Sequence, residues 1–325
     1  MKIGPFAAAL TLAFAISAPS PSLANDSEAE WALGGLVLKS NADISMDSED
    51  LFISAEEVRV DYVYTNHADQ PREVTIAFPL PKLPDSEGYF EYYNYPDWDD
   101  LVFETRVDGV PVKYEIHDRA LTAQGDVTTL VEAEGWPINW VRDYGFVESL
   151  QNLPESEKRR LIDIGLLGGE DDNGALRVVP AWSVQRSVVR TQIFPAKSEV
   201  HVSHRYTPLA GGSVGGMLYP SVRKNAPEEM AEYRKKWCID DSFLAGFDRK
   251  LATYTDENPV YSSETWLGYV LSSGANWRGP IKDFRLVVDK GSSGNLVSFC
   301  MNGVKKISPT QFEVKKQNFE PERDL

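Results

Sequence analysis

The stretch YFEYYNYPDWDD, residues 89–100, holds six aromatic rings and four carboxylates without any positive charge. Rings on a loop can stack on the faces of sugars, and neighbouring carboxylates accept hydrogen bonds from hydroxyl groups. Pro96 and the absence of alternating polarity indicate a loop or a distorted edge strand. We therefore predict a surface that recognises a glycan or a partner protein. Its predicted binding residues are Tyr89, Tyr92, Tyr93, Tyr95 and Trp98.

Two other interpretations of residues 89–100 stay open. The rings can instead fold back as a lid over the neighbouring strands or pack on a second domain, because each buries roughly 150 to 250 Å². The carboxylates of Asp97, Asp99 and Asp100 can contribute to a cation site, although three ligands on one short stretch need others from elsewhere.

The sequence contains one formal hydrolase motif. Residues 211–215 read GGSVG, and in hydrolases the pattern G-x-S-x-G presents a serine on a sharp turn between a strand and a helix. That arrangement also needs a histidine after the serine, whereas all four histidines precede Ser213. We predict no catalytic residue. The alternative is a hydrolase of an envelope polymer that acts through Ser213 or through carboxylates such as Glu91 and Asp99.

Two patterns suggest metal ligands, and neither is complete. On a strand, His201 and His204 point to opposite faces and cannot bind one ion, and His204 joins the apolar face. In GGEDDNG, residues 168–174, the EF-hand register places Gly169 at the first ligand position and Pro180 at the last. A solvated turn is therefore the preferred interpretation of this stretch, and we predict no metal site and no cofactor.

The first 24 residues have the pattern of a secretory signal peptide. Lys2 precedes an apolar run over residues 6–16, and the small residues 22–24 offer a cleavage site. The run is too short to cross a bilayer, and no later stretch is apolar for eighteen residues. We therefore expect a mature chain that begins near Asn25, has no membrane span and lies in the bacterial periplasm or outside the cell.

The charge of the chain excludes some partners. The formal net charge is −16, and removal of residues 1–24 takes away one lysine and no acid, which gives −17. So negative a chain is a poor partner for nucleic acid or for an anionic membrane.

Cys238 and Cys300 are the two cysteines of the chain, and neither lies in a spacing typical of metal ligands. In an exported protein such a pair predicts one disulfide, with a reactive thiol as the alternative.

Alternating polarity predicts strands over most of the chain. The even positions of residues 58–64 form one apolar face, and Asp108 and Gly109 supply a hairpin turn. A helix is predicted to start at Pro154 and Glu155 and to stop at Gly168. The predicted fold is mostly β with helical insertions, as two β-sandwich-like lobes joined by a helical connector. The predicted bounds are 1–24 for the signal peptide, 25–125 for the N-terminal β-sandwich-like domain, 126–174 for the helical connector, and 175–325 for the C-terminal β-rich domain with a helical insertion at about 226–254.

Several stretches after residue 24 are distinctive: NDSEAEWALGGLVLKSNADISMDSEDLFISAEEVRVDYVYTN, FPLP, IFPAKSEVHVSHRYTP, WCIDDSFL and GANWRGPIKDFRLVVDK. They resemble the secreted bacterial family catalogued as domain of unknown function 4424, over most of the mature chain. The resemblance implies an exported compartment and a fold, and it implies no activity. The chain ends at NFEPERDL, where we expect one more closing strand.

The sequence therefore predicts an exported periplasmic protein that is a non-catalytic binding or interaction module of the cell envelope. Its expected partner is an envelope protein or glycan. A hydrolase of an envelope polymer and a purely structural or assembly role are the alternatives. A binding module should lose binding on Tyr92→Ala, whereas a hydrolase should lose turnover on Ser213→Ala or Asp99→Asn.

Overall fold

The computed structural model describes residues 25–32, 35–83, 101–172, 175–208, 210–214, 216–253 and 263–325. Strands outnumber helices in these residues, so the predicted class, mostly β with helical insertions, is confirmed. Among the described residues, no helix is both long and apolar enough to cross a membrane.

The smaller of the two main sheets has six strands. Its central strand β12 pairs antiparallel with β5 on one side and with β8 on the other. The strands, in their order across the sheet, are β2 (Gly35–Lys39), β1 (Ser27–Ala32), β5 (Arg72–Pro79), β12 (Ser183–Phe194), β8 (Glu115–Thr122) and β9 (Gly125–Asp126).

The larger main sheet has eight strands. All its pairs are antiparallel except that between β16 and β3, which is parallel. The strands, in their order across the sheet, are β17 (Lys305–Lys306), β18 (Gln311–Phe319), β16 (Ile281–Asp289), β3 (Ile44–Ser54), β4 (Val58–Asn66), β13 (Glu199–Tyr206), β6 (Phe103–Val107) and β7 (Val110–Pro111).

The main hydrophobic core lies between these two sheets. Alternation in β4 buries Val58, Val60, Tyr62 and Tyr64, as the sequence predicts. Phe78 of β5 meets residues of the opposite sheet, with ring-centroid distances of 5.4 Å to Phe103 and 5.0 Å to His204. Because such ring pairs add to the burial energy of large side chains, the core holds the sheets face to face.

Strands from both predicted domains share both sheets. In the smaller sheet β12 lies between β5 and β8, and in the larger sheet β13 lies between β4 and β6. The two-lobe arrangement is therefore not confirmed, since one sandwich contains strands from before and after the connector. The predicted domain bounds at residues 125 and 175 stay a prediction.

The connector between β9 and β12 contains three short helices: α1 (Thr128–Ala133), α2 (Tyr144–Gln151) and α3 (Glu155–Asp163). Trp140 Nε1 donates a hydrogen bond at 3.0 Å to the backbone oxygen of Trp182, the residue before β12, and both rings belong to the main hydrophobic core. Pro154 precedes α3, as predicted. The predicted stop at Gly168 is wrong, because Gly165, with φ of 75°, ends the helix.

Residues 168–172 do not form a turn. They lie in β10 (Leu167–Asp172), which pairs with β11 (Ala175–Pro180), and residues 173–174 are outside the described residues. The Asp108 and Gly109 turn is confirmed, with φ of 48° and 79° between β6 and β7. Beyond this turn the apolar residues at even positions from Val110 to Ile116 predict a buried face. That prediction is wrong for Val110 and Ile116, which are 62% and 40% exposed.

Three helices form the insertion: α4 (Pro220–Asn225), α5 (Pro227–Lys236) and α6 (Asp241–Leu251). They have a small core of their own, made of Leu218, Met230, Ile239, Leu244 and Phe247. Two short strands, β14 (Gly211–Val214) and β15 (Ser263–Trp266), pair beside them. A 3-10 helix follows at Ser272–Asn276.

The preference of helix starts for Asn and Asp predicts Asn225 as the cap of α5 and Asp240 or Asp241 as that of α6. The cap of α6 is confirmed and that of α5 is not. Asp240 accepts a hydrogen bond from the backbone amide of Phe243 at 2.7 Å, which satisfies one of the free amides at the start of α6. The residue before α5 is Ala226, without a side-chain cap, so that Asn225 does not cap this helix.

Candidate ligand-binding pocket

A cavity of about 410 Å³ lies between the helical insertion and the larger sheet. We call it the aromatic pocket. Helix α6 contributes Phe243 and Phe247, and strands β3 and β16 contribute Ile53 and Val288. The volume lies in the range of ordinary ligand pockets, which are concave and mostly apolar with a few polar groups.

Two stacked tryptophans form one wall of the aromatic pocket. The rings of Trp237, directly after α5, and Trp266, in β15, lie 5.8 Å apart at an angle of 17°. Tyr233, one turn earlier on α5, lies 6.3 Å from Trp237. All three side chains are half-buried. The wall therefore presents flat apolar surface to the cavity.

Glu264 places a carboxylate beside these rings. Its Oε2 atom accepts hydrogen bonds from the Tyr233 hydroxyl and, at 3.4 Å, from Trp266 Nε1. Its Oε1 atom is buried and has no hydrogen-bond partner among the described residues. An unsatisfied buried acceptor costs roughly 1 to 3 kcal/mol, so a donor on a ligand would be favourable here.

Gly216 explains how Glu264 can lie so deep. A Cβ atom at position 216 would overlap the Glu264 carboxylate, and the backbone has a positive φ there. Gly212 makes a similar approach, since a Cβ atom would come within 2.8 Å of the Glu264 backbone oxygen. Gly216 therefore makes room for the Glu264 carboxylate, and Gly212 makes room for the Glu264 backbone.

The disulfide holds the tryptophan wall against the opposite wall of the aromatic pocket. Cys238 follows Trp237 and is bonded to Cys300, as predicted, with Cα atoms 5.2 Å apart. Cys300 lies in an irregular segment and not in the strand that NLVSFC predicts. In the same segment Ser298 donates its hydroxyl to the backbone oxygens of Trp237 and Cys238, at 2.8 and 2.6 Å.

Two lysines donate hydrogen bonds to the loop at the edge of the aromatic pocket. Lys250 of α6 donates to the backbone oxygen of Gly294 at 3.0 Å, and Lys290 donates to that of Ser293 at 2.8 Å. Partial burial and the repulsion of Lys306 and Lys250 lower the pKa of Lys290. Both amines thus stabilise the loop that closes one side of the cavity.

A second group of polar side chains lies inside the sandwich and is closed to solvent. Asp26 is completely buried and accepts two hydrogen bonds from Arg190, at 3.2 and 2.7 Å. His204 Nε2 lies 3.2 Å from the same carboxylate, and Trp277 Nε1 donates to the Asp26 backbone oxygen at 2.7 Å. We call these residues, with Asn25, Glu49, Tyr62, Tyr64, Tyr269 and Ser273, the interior polar cluster.

The charges of the interior polar cluster differ from those of free side chains. Burial alone would raise the pKa of Asp26, but Arg190 and His204 hold it well below its usual range. Burial lowers the pKa of His204, whereas the Asp26 carboxylate raises it. The effect of burial is the larger one and keeps the imidazole neutral. Burial, helped by the negative charge of Asp26, raises the pKa of Glu49 to about 8. Glu49 is thus a buried acid that has no paired cation among the described residues.

The five predicted binding residues, Tyr89, Tyr92, Tyr93, Tyr95 and Trp98, lie outside the described residues, as do Glu91, Asp97, Asp99 and Asp100. Their role in binding stays a prediction.

The structure places the other candidate residues away from catalytic or metal-binding geometry. Ser213 lies within β14, paired with Glu264 of β15, and not on a turn between a strand and a helix. His204 is buried and His201 is exposed, as predicted for opposite faces of one strand. In the described part of the chain, no three His, Cys, Asp or Glu side chains lie close enough together to hold a metal ion.

The comparison with protein families gives a match over nearly the whole chain. The model of the family described as Domain of unknown function (DUF4424) matches residues 24–325. The chain belongs to this family. The fold and the aromatic pocket both lie within the matched range. No curated protein matches the sequence.

One solved structure resembles the chain distantly. It is that of a candidate nutrient binding protein from Legionella pneumophila, at 14% identity and a TM-score of 0.44, over 93% of this chain and 68% of the other. A likeness this distant says nothing about what this family member binds.

The sequence did not predict the residues that form the aromatic pocket or the interior polar cluster. Trp237 follows α5, whereas Glu264 and Trp266 lie together in β15, and no sequence spacing joins these two places before the disulfide and the β14–β15 pair are in place. Asn25 and Asp26 directly follow the signal-like segment, where polar residues are expected to face water. The four glycines within residues 211–216 were the available signal in the sequence, since glycine often allows another group to approach the backbone closely.

Proposed function

We propose that this chain is an exported, non-catalytic binding protein of the bacterial cell envelope, and that the aromatic pocket binds a saccharide unit of an envelope glycan. The observation that carries the proposal is the pair of stacked rings, Trp237 and Trp266, beside an unpartnered oxygen of Glu264. Sugars combine apolar ring faces with outward hydroxyl donors. They therefore match both features of this wall.

Export is supported by independent observations. Residues 1–24 have the composition of a signal peptide, and the family match begins at residue 24. The disulfide suits an oxidising compartment. We propose the periplasm, or the outside of the cell, as the location.

The aromatic stretch at residues 89–100 is proposed as a second contact with the envelope partner. Its rings and carboxylates repeat the chemistry of the aromatic pocket. A purely structural or assembly role would require neither surface.

Isothermal titration calorimetry of the exported, oxidised protein with soluble fragments of digested envelope glycan tests this proposal. We expect Trp266→Ala and Glu264→Gln each to raise the dissociation constant about 10-fold or more, because truncated aromatic anchors and weakened charge-assisted hydrogen bonds cost about 1.4 kcal/mol or more.

Matched variants outside the aromatic pocket provide the control. Trp136→Phe changes an indole in the connector, and Glu170→Gln neutralises an acid on β10; both should bind as the parent does. A parent protein that binds none of the fragments contradicts the proposal, as does a pocket variant that keeps both its melting temperature and its affinity.

A further inference from the structure

The mature N-terminus predicted from the sequence coincides with two polar residues that are completely buried in the structure. Asn25 and Asp26 have no exposed surface and lie between the two sheets. The Asn25 backbone nitrogen donates to Ser273 Oγ, and Ser273 Oγ in turn donates to the Asn25 backbone oxygen at 2.6 Å. The first residue of the described chain is therefore bound in the interior.

The side chain of Asn25 is held as firmly as its backbone. Its Nδ2 atom donates to Glu49 Oε2 at 2.9 Å, and its Oδ1 atom accepts from the Tyr62 hydroxyl and from the amide of Asp26. A Cβ atom on Gly274 would come within 2.7 Å of Nδ2. The cavity around Asn25 is thus fitted to this residue.

Of the two acids beside Asn25, Asp26 has a paired cation and Glu49 has none among the described residues. Asp26 is balanced by Arg190, whereas Glu49 is surrounded by Asn25, Tyr62, Tyr269 and the like charge of Asp26. A buried carboxylate without a cation is costly, and in this position it stays protonated at neutral pH.

We propose that hydrolysis of the peptide bond between Ala24 and Asn25 creates an α-ammonium group that stays inside the sandwich, bound to Ser273 Oγ and paired with the Glu49 carboxylate. A signal peptidase adds one water across this amide bond, which leaves a carboxylate on Ala24 and an α-ammonium on Asn25. Glu49 releases its proton to water and pairs with the new cation. The inference rests on the export step proposed above and is independent of the aromatic pocket.

This arrangement couples processing to stability. While residue 25 is joined to residue 24, Glu49 has only neutral donors; after cleavage it gains a charged one, and hydrogen bonds between charged groups are about twice as strong as neutral ones. Removal of the signal peptide thereby completes the charge balance of the interior polar cluster.

The test uses the protein purified from the periplasm with its natural signal peptide. Its N-terminus is determined by intact mass, and the α-amine is then labelled with an amine-reactive ester at neutral pH, with the labelled N-terminal peptide quantified by mass spectrometry. We expect a chain that begins at Asn25, and an α-amine that reacts at least 100-fold more slowly in the folded protein than in urea. Labelling of the folded chain at the unfolded rate overturns the inference.

Two variants locate the partner of the α-amine. Glu49→Gln should raise the labelling rate of the folded protein at least 10-fold, while Glu56→Gln, an exposed acid in the turn after β3, should leave it unchanged. If Glu49→Gln does not fold, Ser273→Ala replaces it with the same expected increase. A folded variant that keeps the parental rate overturns the pairing. A purified chain that begins elsewhere overturns the inference and leaves the aromatic pocket untouched.

Discussion

Arg190 and Asp26, 164 residues apart, form a two-pronged ion pair in the interior of the sandwich. Arg190 lies on β12 of the smaller sheet, and Asp26 directly precedes β1 of the same sheet. Their side chains are 2% and 0% exposed. The pair therefore fixes the segment just before β1 to a central strand of the fold.

Removal of one partner of this pair should strongly destabilise the protein. Asp26→Asn leaves the Arg190 guanidinium buried without a counter-charge, which costs about 3 to 5 kcal/mol in comparable cases. Urea unfolding, followed by circular dichroism, measures the loss. The exposed pair of Asp43 and Arg72 provides the control, since Asp43→Asn should cost less than about 1 kcal/mol. Equal losses for the two variants would show that burial of the Arg190 pair has no energetic effect.

Glu49 should give the unprocessed chain an unusual dependence on pH. With Asn25 joined to a preceding residue, the pKa of Glu49 is raised from 4.5 to about 8. Between pH 4.5 and pH 8 Glu49 keeps its proton in the folded state and has lost it in the unfolded state. The Glu49 contribution to stability is therefore present below about pH 4.5 and is lost as the pH rises through 8. Urea unfolding at pH 5, 6, 7 and 8 should show this loss relative to Glu49→Gln.

The same titration separates Glu49 from its neighbours. His204 acts in the opposite direction, because its lowered pKa makes stability fall on acidification below its ordinary value of 6.5. Subtraction of the Glu49→Gln curve leaves only the Glu49 contribution. A chain that begins at Asn25 should show a smaller difference, since its α-ammonium favours the ionised carboxylate. No difference between the parent and Glu49→Gln in the extended chain would contradict the raised pKa.

Reduction of the disulfide should weaken both stability and binding. The bond closes a separation of 62 residues, for which the chain-entropy model gives about 4 kcal/mol. Because Cys238 follows Trp237, reduction also frees the tryptophan wall from the segment around Ser298. Urea unfolding and ligand titration of the Cys238→Ser, Cys300→Ser double variant should show both losses. Unchanged affinity in the double variant would separate the disulfide from the aromatic pocket.

Gly274→Ala should destabilise the cavity around Asn25. The new methyl group would lie 2.7 Å from Asn25 Nδ2 and 3.2 Å from Ile281 Cδ1, and overpacking of this kind costs about 1 to 3 kcal/mol. Gly294→Ala is a matched control, because its nearest neighbour, Ser292 Oγ, is 3.9 Å away. Thermal unfolding should show a lower melting temperature for Gly274→Ala alone. Equal melting temperatures would mean that the cavity is not closely fitted.

Local patterns predicted local structure well. The alternation in β4, the turn at Asp108 and Gly109 and the Asp240 cap each depend on a few neighbouring residues, and all three are present. The two-lobe arrangement was not confirmed because strand pairing is set by long-range contacts. Alternation marks a strand without naming its neighbour, as in the pairs of β12 with β5 and of β16 with β3.

The candidate sites were harder to predict for the same reason. Polar residues such as Asn25, Asp26 and Glu49 become buried only because distant groups satisfy their hydrogen bonds, and no residue type near them signals this. The tryptophan wall needs a disulfide and a strand pair to bring Trp237 and Trp266 together. The pairing of the two cysteines was predictable, whereas the residues beside them gave no pattern.

Photo-crosslinking in living cells tests the proposed binding role most directly. A photoreactive phenylalanine analogue replaces Trp266 in the exported, oxidised protein. In separate strains it replaces Tyr92, a residue of the proposed second contact, or the 56% exposed Ile193 of β12, which is the control. Adducts are isolated and identified by mass spectrometry. We predict a glycan adduct from position 266 that is missing from position 193. Crosslinks from position 266 only to this chain itself, or the same captured material from both positions, would contradict a ligand site in the aromatic pocket.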